Sequence, residues 1–265
     1  MFDDYIEHWK LIPDGDPIIT HSSRLLPVQY QGIPAMLKIA MESEERWGNL
    51  LMIWWKGEGA ARVLRHDDDA LLMERAIGHR SLVAMSRSGH DDEASQIICS
   101  VTAKLHSHKD NPPTLLPLSR WFKELEVAAS QQGGIFSESF TIAKELLDTP
   151  EDPVVLHGDI HHGNILDFGE HGWLAIDPKH LIGERGYDFA NLFCNPDMEM
   201  ATQPGRLTRQ VDIVSKAAKL NRNRLLKWIF AYAGLSAAWT LAEGKKPELA
   251  LSVAKLALQN LKTNV

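Results

Sequence analysis

The chain has 265 residues, of which 44% are apolar and 24% are charged, and its formal net charge is −7. A chain of this length can form one large domain or two lobes around a cleft, and its composition is that of an ordinary globular protein. A pI near 5.9 argues against a nucleic-acid-binding protein, because such a protein normally presents a basic face. The acidic balance slightly favours a cationic small-molecule partner instead.

Cysteine content and the N-terminal sequence bear on the cellular compartment. Cys99 and Cys194 are far apart and form no CxxC motif, so they predict neither a disulfide framework nor a zinc site. The N-terminal segment MFDDYIEHWK is acidic and lacks the apolar core of a signal peptide. No run of about 18 apolar residues predicts a membrane span. We therefore expect a cytoplasmic monomer without a nucleic-acid or membrane partner.

The first part of the chain predicts a small β-sheet. Between residues 12 and 40, apolar and β-branched runs alternate with turn signals, DG at 14–15 and GIP at 32–34. A further strand is predicted over residues 70–73, after an acidic turn. Together these strands indicate a β-rich unit over residues 1–75.

One helix is predicted within this unit, over residues 43–55. Glu44, Trp47, Leu51 and Trp54 recur in it at helical spacing, so we expect these side chains to share the face that points inward.

The remainder of the chain is predominantly helical. Ile97, Ile98, Val101 and Leu105 recur at helical spacing after the acidic segment that begins at Asp91. Further helices are predicted over residues 121–129, 140–147, 223–244 and 247–261. They are interrupted by one short β-like insert, residues 154–178. This order of elements predicts an α+β fold with a small β-rich N-terminal lobe, residues 1–75, and a larger helical C-terminal lobe, residues 76–265.

The β-like insert contains most of the polar residues that suggest chemistry. In VVLHGDIHHGNILDF and WLAIDP, Asn164 follows Asp159 by five residues, and Asp177 follows Asn164 by 13. This spacing is typical of the protein-kinase signature. It predicts Asp159 as the catalytic residue that orients or deprotonates a hydroxyl, and Asn164 and Asp177 as ligands of Mg²⁺, which prefers oxygen donors. The flanking apolar pairs place Asp177 at the tip of a small hairpin.

A kinase also needs a lysine that positions phosphates and an acidic partner for it. Lys38 lies in the apolar strand AMLKIA, and Glu44 on the predicted inner helix face is its expected partner, with Glu45 as the alternative. The sequence has no GxGxxG before Lys38, and THSSRLLPV stands in that position. Ser22 and Ser23 are therefore the candidate phosphate donors.

The segment LLMERA would connect the two lobes. The backbone of Glu74 to Ala76 is expected to contact the nucleobase there.

Two other readings of the same residues remain. Asp159 and His161 form a D-x-H motif, and with His157 and His162 they would suit a transition metal of a phosphoesterase. A two-metal hydrolase, however, needs further ligands downstream, and no histidine follows His180. A non-catalytic nucleotide-binding module would be favoured if one of the four kinase residues were absent, and all four are present.

Several longer segments carry a family resemblance. HGDIHHGNILDF, WLAIDP, IGERGYDFANLF and GLSAAW, with THSSRLLPV and WWKGEGAARV, resemble the aminoglycoside phosphotransferase family over about residues 8–260. The similarity is greatest to its streptomycin 6-phosphotransferase branch, which is grouped with hydroxyurea-resistance kinases. It implies a two-lobed protein-kinase-like fold, ATP and Mg²⁺ as cofactors, and support of the catalytic loop by His157 and Asp188. A helix N-cap is the alternative role for Asp188.

The resemblance also implies a substrate class. It predicts transfer of the γ-phosphate to an alcohol group of a small molecule, an aminoglycoside such as streptomycin, which would inactivate the antibiotic. The two guanidinium groups of streptomycin would require carboxylates and aromatic faces. The candidate carboxylates are Glu184, Asp188, Asp197, Glu199 and Glu243. The alternative acceptors are hydroxyurea or another small hydroxyl compound.

Overall fold

The N-terminal lobe is built around one antiparallel sheet. The computed structural model describes residues 2–107 and 111–263. The elements of this lobe are α1 (Asp3–Trp9), β1 (Ile12–Pro13), β2 (Ile18–Ile19), β3 (Ser23–Tyr30), β4 (Ile33–Ala40), α2 (Ser43–Trp55), β5 (Val63–His66) and β6 (Ala70–Glu74). The strand order is β1-β3-β4-β6-β5, with β2 paired to β3.

The longest hairpin, β3–β4, sets the register of the sheet. Gln31 and Gly32 turn the chain with φ values of 52° and 80°. Two positive values in a two-residue loop match the right-handed twist of the strands, and glycine tolerates such a value without strain. Tyr30 consequently pairs with Ile33, and pairing continues to Ser23 opposite Ala40.

Side chains alternate between the two faces of the sheet along β4, so its apolar residues enter a core on one face and Lys38 points to the cleft on the other. Leu37 and Ile39 pack with Trp9 of α1 and Leu72 of β6 in a small core on one face of the sheet. Since successive strand residues point to opposite faces, Lys38 points away from that core and towards α2 and the second lobe.

Helix α2 buries only part of the face that the sequence predicts, since Leu51 is fully buried and Trp54 is half-buried. Glu45, Met52 and Trp55 are buried, whereas Trp47 is 40% exposed and Glu44 is exposed. The large aromatic residue Trp47 suggested that Glu44 points inward, whereas the buried carboxylate is that of Glu45, about 100° further around the helix axis.

The C-terminal lobe is mainly helical. Its elements are α3 (Leu82–Met85), α4 (Asp91–Ser107), β7 (Leu116–Pro117), α5 (Leu118–Trp121), α6 (Lys123–Gln132), α7 (Gly134–Asp148), β8 (Pro153–Leu156), β9 (Ile165–Asp167), β10 (Trp173–Ala175), β11 (Leu181–Glu184), α8 (Met198–Ala201), α9 (Arg206–Ala217), α10 (Arg222–Ala242) and α11 (Glu248–Thr263). A π-helical turn joins α3 to α4, and two 3₁₀ turns follow β11.

Helix α10 forms the centre of this lobe. It is long and apolar enough to cross a membrane by length and composition alone, but 67% of its most apolar 18-residue window is buried inside the protein. Trp228, Phe230 and Leu235 are among its buried residues. Burial on most sides is typical of a core helix, which accounts for its continuous apolar sequence.

The insert folds as predicted, except for the position of Asp177. Strands β9 and β10 pair antiparallel, with Ala175 opposite Ile165. Asp177 follows β10 at the open end of this hairpin, and the turn lies at the other end. The prediction of a tip position was therefore wrong, because the chain reverses at residues 169–172, before Asp177. The amide of Ile176 donates to the carbonyl of Asn164 (2.9 Å), which brings Asp177 beside Asn164.

Contacts near the end of β6 fix the connecting segment to the C-terminal lobe, and one of them links the two lobes. The amide of Gly78 donates to the carbonyl of Asp167 (2.9 Å). Arg80 binds both carboxylate oxygens of Asp167, at 2.8 and 3.1 Å, and this interaction lowers the pKa of Asp167 to about 2. His171 Nδ1 lies 3.0 Å from Glu74 Oε2. We propose that the lobes divide after residue 75, between the last strand of the sheet and these contacts.

We expect the substitution Leu37→Ala to destabilise the N-terminal lobe. Leu37 is fully buried, so the loss of its side chain should lower the free energy of unfolding by about 2–5 kcal/mol. Leu50 is 40% exposed, and Leu50→Ala should cost less than about 0.5 kcal/mol. Urea denaturation followed by fluorescence measures both values. Equal costs for the two variants would contradict the assignment of this core.

Candidate active site

The centre of the cleft is a buried ion pair between strand β4 and helix α2. Lys38 is 5% exposed, and its ammonium contacts the Glu45 carboxylate and Asp177 Oδ1, the latter at 2.5 Å. Glu45 is 4% exposed. Glu44, the predicted partner, is exposed to solvent, so that prediction was wrong and the alternative, Glu45, is the residue found.

Ser22 and Ser23 also bind this carboxylate. Their hydroxyls donate to Glu45 Oε1 and Oε2 at 3.2 and 3.1 Å. The amide of Ser23 donates to Thr20 Oγ1 at 3.0 Å. Both hydroxyls, which were predicted to bind phosphate together with the backbone amides, are therefore taken by a buried carboxylate that requires donors, and a role for the Ser22 amide stays a prediction.

Asp188 holds the loop that follows β8. Its carboxylate accepts hydrogen bonds from the amides of His157 (2.9 Å) and Gly158 (2.7 Å), and its Oδ2 lies 2.8 Å from His106 Nε2. Asp188 is 1% exposed. Gly158 has a φ of +85°, a conformation that other residues rarely adopt. This geometry is what a loop-supporting residue needs, and the predicted role remains a prediction.

His157 is a second support of the same loop. Its ring is fully buried and stacks on Trp55, with ring centroids 6.1 Å apart. Nδ1 accepts from the amide of Asp159 (3.3 Å), and Nε2 lies 2.9 Å from the carbonyl of Ile176. Burial lowers the pKa of His157 below its ordinary value, so the ring is neutral at pH 7 and donates from Nε2.

Two asparagines hold the predicted catalytic carboxylate. Asn191 Nδ2 donates to Asp159 Oδ1 (2.7 Å), and Asn164 Nδ2 donates to Asp159 Oδ2 (3.0 Å). Asn195 in turn donates to Asn191 Oδ1 (2.9 Å), which orients that amide. Sequence reasoning missed Asn191, although it lies only three residues after Asp188 in GYDFAN. The Asp159 side chain remains 29% exposed to the cleft.

Asn164 and Asp177 have the chemistry of a magnesium site. Asn164 uses its NH₂ group towards Asp159, which leaves its amide oxygen for a cation. Asp177 has a φ of +59°, a strained value that aspartate tolerates better than most residues. Burial raises the pKa of Asp177, but Lys38 and Lys179 outweigh this effect and lower it to about 2. An amide and a carboxylate oxygen suit Mg²⁺.

The histidines of the loop do not assemble into a metal site. His161 Nε2 lies 3.8 Å from Asp159 Oδ2, whereas His162 is 2% exposed and lies behind the loop beside Asp91. Within residues 2–107 and 111–263, no group of three or more His, Cys, Asp or Glu residues could hold a metal ion. The arrangement thus does not favour the phosphoesterase reading.

A second lysine, which the sequence analysis overlooked, enters the same cluster. Lys179 Nζ lies 3.1 Å from Glu45 Oε1 and 3.9 Å from Asp177 Oδ2. Burial lowers the pKa of Lys179, but Asp177, Glu45 and Asp159 outweigh it and raise the pKa above its ordinary value. The only signal in the sequence was its position two residues after Asp177.

The predicted nucleobase segment contributes backbone groups at most. The Glu74 side chain is buried and pairs with Arg62 (2.5 Å), and its amide donates to the carbonyl of Arg62. The amide of Arg75 donates to the carbonyl of Pro34 (3.1 Å). Ala76, which is half-buried, follows directly.

Most of the carboxylates proposed for a cationic acceptor have structural roles. Glu184 is 4% exposed and accepts from Trp228 Nε1 (2.6 Å) and Arg224 Nε (2.7 Å). Asp197 caps α8 and pairs with Arg87 at 2.6 Å. With Asp188 in the loop, Glu199 and Glu243 are the two that remain exposed.

An aromatic cluster lies beside Asp159, formed by Trp121, Tyr187, Tyr232 and Trp239. The rings of Trp121 and Trp239 meet edge to face with centroids 5.3 Å apart, and Trp121 Nε1 donates to Tyr187 Oη at 2.7 Å. Burial, and to a smaller extent the charge of Asp159, raise the pKa values of both tyrosines. Trp121 and Trp239 are only partly buried, so this cluster has an accessible side.

Known proteins are similar in sequence to this chain over most of its length. The family model for aminoglycoside/hydroxyurea antibiotic resistance kinases matches residues 8–244. A streptomycin 3''-kinase of Klebsiella pneumoniae is 45% identical, over 90% of this chain and 92% of that one. A streptomycin 6-kinase of Streptomyces griseus is 30% identical, over 90% of this chain and 81% of that one.

Solved structures share the fold. A thermostable mutant of aminoglycoside phosphotransferase APH(4)-Ia, in a ternary complex with ADP and hygromycin B, superposes with a TM-score of 0.65. The match covers 98% of this chain and 96% of that one at 11% sequence identity. The predicted two-lobed protein-kinase-like fold is confirmed.

We expect Asp188→Asn to loosen the catalytic loop. The asparagine keeps only one acceptor oxygen, so the amide of His157 or Gly158 loses its partner. Exchange of these amides with deuterium, measured by mass spectrometry, should become roughly tenfold faster. Asp197→Asn, which alters a helix cap elsewhere, is the control and should leave their exchange unchanged. Unchanged exchange in Asp188→Asn would remove the supporting role.

Proposed function

The chain belongs to the family of aminoglycoside/hydroxyurea antibiotic resistance kinases, and on this premise we propose that it transfers the γ-phosphate of Mg-ATP to a hydroxyl group of streptomycin. The observation that carries the proposal is the contact between Lys38 and Asp177, which are 139 residues apart. It joins the predicted phosphate-binding lysine to the predicted metal ligand across the cleft, next to Asp159. The streptomycin 3''-kinase relative supports this acceptor and favours its 3''-hydroxyl.

Asp159 would act on the acceptor hydroxyl. Its carboxylate is held by Asn164 and Asn191 and remains partly exposed to the cleft. The hydroxyl oxygen forms a bond to the γ-phosphorus while the bond from that phosphorus to the β-phosphate oxygen breaks, and the hydroxyl proton passes to Asp159. Since little covalent chemistry is required of the protein, most of the acceleration would come from positioning.

Lys38 would bind the nucleotide phosphates, and Glu45 keeps its ammonium in place. The carbonyl of Glu74 and the amide of Ala76 would hydrogen-bond the nucleobase, because the amides of Glu74 and Arg75 are already used within the sheet. Ser22 would contribute its backbone amide. Mg²⁺ at Asn164 and Asp177 would neutralise charge on the phosphate oxygens. His157 and Asp188 would fix the backbone that carries Asp159.

The aromatic cluster would bind the cationic part of the acceptor. A guanidinium group gains favourable interaction over the face of an indole ring, more so where water is partly excluded. Trp121 and Trp239 are partly buried, and the ring of Trp239 meets that of Tyr232 with centroids 6.3 Å apart. This arrangement supports a cationic acceptor better than the carboxylates do, since most of those have structural roles.

We further propose that the enzyme is a cytoplasmic monomer. Both cysteines are free and buried, which agrees with a reducing compartment. The long apolar helix α10 is buried within its own chain, so its hydrophobic sequence requires no partner subunit.

The principal test incubates the protein with Mg-ATP and streptomycin and follows the product by mass spectrometry. We expect the mass of one phosphate to be added, and fragmentation to place it on the 3''-hydroxyl. Asp159→Asn should lower kcat by about 10²–10⁴-fold while nucleotide affinity is retained. Asp197→Asn is the matched control and should retain activity.

Three outcomes would contradict parts of this proposal. Normal turnover in Asp159→Asn would remove that residue from catalysis. Full activity in the presence of EDTA would exclude the metal. Nucleotide binding without a streptomycin product would redirect the search to other hydroxyl compounds such as hydroxyurea.

A second test addresses the acceptor. Trp239→Ala removes a ring of the aromatic cluster, so it should raise the KM for streptomycin about fivefold or more without changing the KM for ATP. Trp239→Phe retains an aromatic face and should recover part of the loss. Steady-state kinetics with each substrate varied measures both constants. A rise in the KM for ATP alone would place Trp239 on the nucleotide side.

A further inference from the structure

We propose that Lys179 is a second phosphate-binding residue of this site. During transfer, its ammonium moves away from the carboxylates of Glu45 and Asp177 and binds the γ-phosphate. The proposal rests on the kinase function proposed above. It gives a catalytic role to a lysine that lies outside the kinase signature.

The first observation is that the backbone of Lys179 is fixed, whereas the end of its side chain can move. The amide of Lys179 donates to the carbonyl of His157 at 2.6 Å, which ties its backbone to the catalytic loop. A Cβ atom on Gly158 would lie 2.9 Å from the Cβ of Lys179, so the loop approaches closely only because it has glycine there. The base of the side chain is therefore rigid, while its ammonium lies at the end of a flexible four-carbon chain.

The second observation concerns the carboxylate that Lys179 contacts. Glu45 is also bound by Lys38, Ser22 and Ser23. If the ammonium of Lys179 moved away, Glu45 would still be bound by the charged ammonium of Lys38 and by two hydroxyl donors. No buried carboxylate would then be without a partner. Lys38 differs, because it is more deeply buried than Lys179, with 7% and 19% of their side chains exposed.

The third observation concerns Asp177. Lys179 Nζ lies 3.9 Å from its Oδ2, which is an ion pair at the outer limit and not a tight hydrogen bond. A divalent cation on Asp177 would compete with this ammonium for the same oxygen. Binding of the metal would therefore favour release of Lys179.

The position of Lys179 indicates where its ammonium goes. Its ammonium lies 3.9 Å from Asp177, the predicted metal ligand, and its backbone amide is bonded to the carbonyl of His157, in the loop that carries Asp159. The transferring phosphate must occupy the space between these two carboxylates. A cation there would stabilise the charge on the γ-phosphate oxygens, both in the bound triphosphate and in the transition state.

The experiment compares binding of a triphosphate and a diphosphate, so it does not depend on turnover. Calorimetry would measure the Kd of Mg-AMP-PNP and of Mg-ADP for the unaltered protein and for the variants Lys179→Met and Lys179→Arg. The exposed Lys123→Met is the matched control, and the melting temperature checks that each variant is folded. Lys179→Met should weaken AMP-PNP by about 10- to 100-fold and leave ADP within about twofold. Lys179→Arg should retain most of the affinity for AMP-PNP, and Lys123→Met all of it.

Other outcomes would overturn the proposal in distinguishable ways. An equal loss of affinity for both nucleotides, or no loss, would mean that Lys179 only stabilises the cluster and does not touch the γ-phosphate. A variant with unchanged AMP-PNP affinity but lower kcat would also exclude a contact in the bound triphosphate. If the unaltered protein bound neither nucleotide, the kinase function itself would fail, and this proposal with it.

Discussion

Two lysines and two carboxylates meet between the lobes, and the arrangement of the site depends on their mutual neutralisation. None of Lys38, Glu45, Asp177 and Lys179 could be withdrawn from water alone without a large desolvation cost. Together their charges cancel, and Ser22 and Ser23 supply the remaining hydrogen bonds to Glu45. Because the four residues come from a strand, a helix and the segment after a hairpin, the cluster orients these elements as well as the side chains.

The catalytic loop is organised on a different principle. Its order comes from hydrogen bonds to backbone amides, through Asp188, and from a neutral histidine that stacks on an indole ring. Both supporting side chains are buried, so little water competes for their hydrogen bonds. Asp159 itself is held by two side-chain amides, which orient a carboxylate without neutralising its charge. The residue that must accept a proton is thus positioned, and its negative charge is preserved.

The sequence predicted the parts of this site that have a fixed spacing and missed those that depend on packing. Asp159, Asn164 and Asp177 lie within one short insert, so their separation along the chain limits their positions in space. The choice between Glu44 and Glu45 depended on the rotation of α2. Trp47 indicated the wrong glutamate because it lies against His180, with the two rings tilted, instead of entering the core. For Asn191 and Lys179 the only signal in the sequence was closeness to a predicted site residue, since their roles arise only when the loop, the helix and the hairpin meet. The order of helices and strands was predictable because apolar periodicity reports burial directly.

The contacts at the end of β6 also determine how a ligand can enter the cleft. Gly78 and Arg80 fasten the connecting segment to Asp167 within the C-terminal lobe. Across the lobe boundary, His171 reaches back to Glu74, and the backbone of Ala175 is hydrogen-bonded to the backbones of Gly59 and Ala61. Hinge-like opening of the lobes would require the hydrogen bonds that cross this boundary to break together. The front edge, by contrast, is formed by the short strand β2 and the exposed residues 18–21. Exchange of nucleotide would therefore pass beneath this front edge, and its rate would be set by local movement of that edge and not by separation of the lobes.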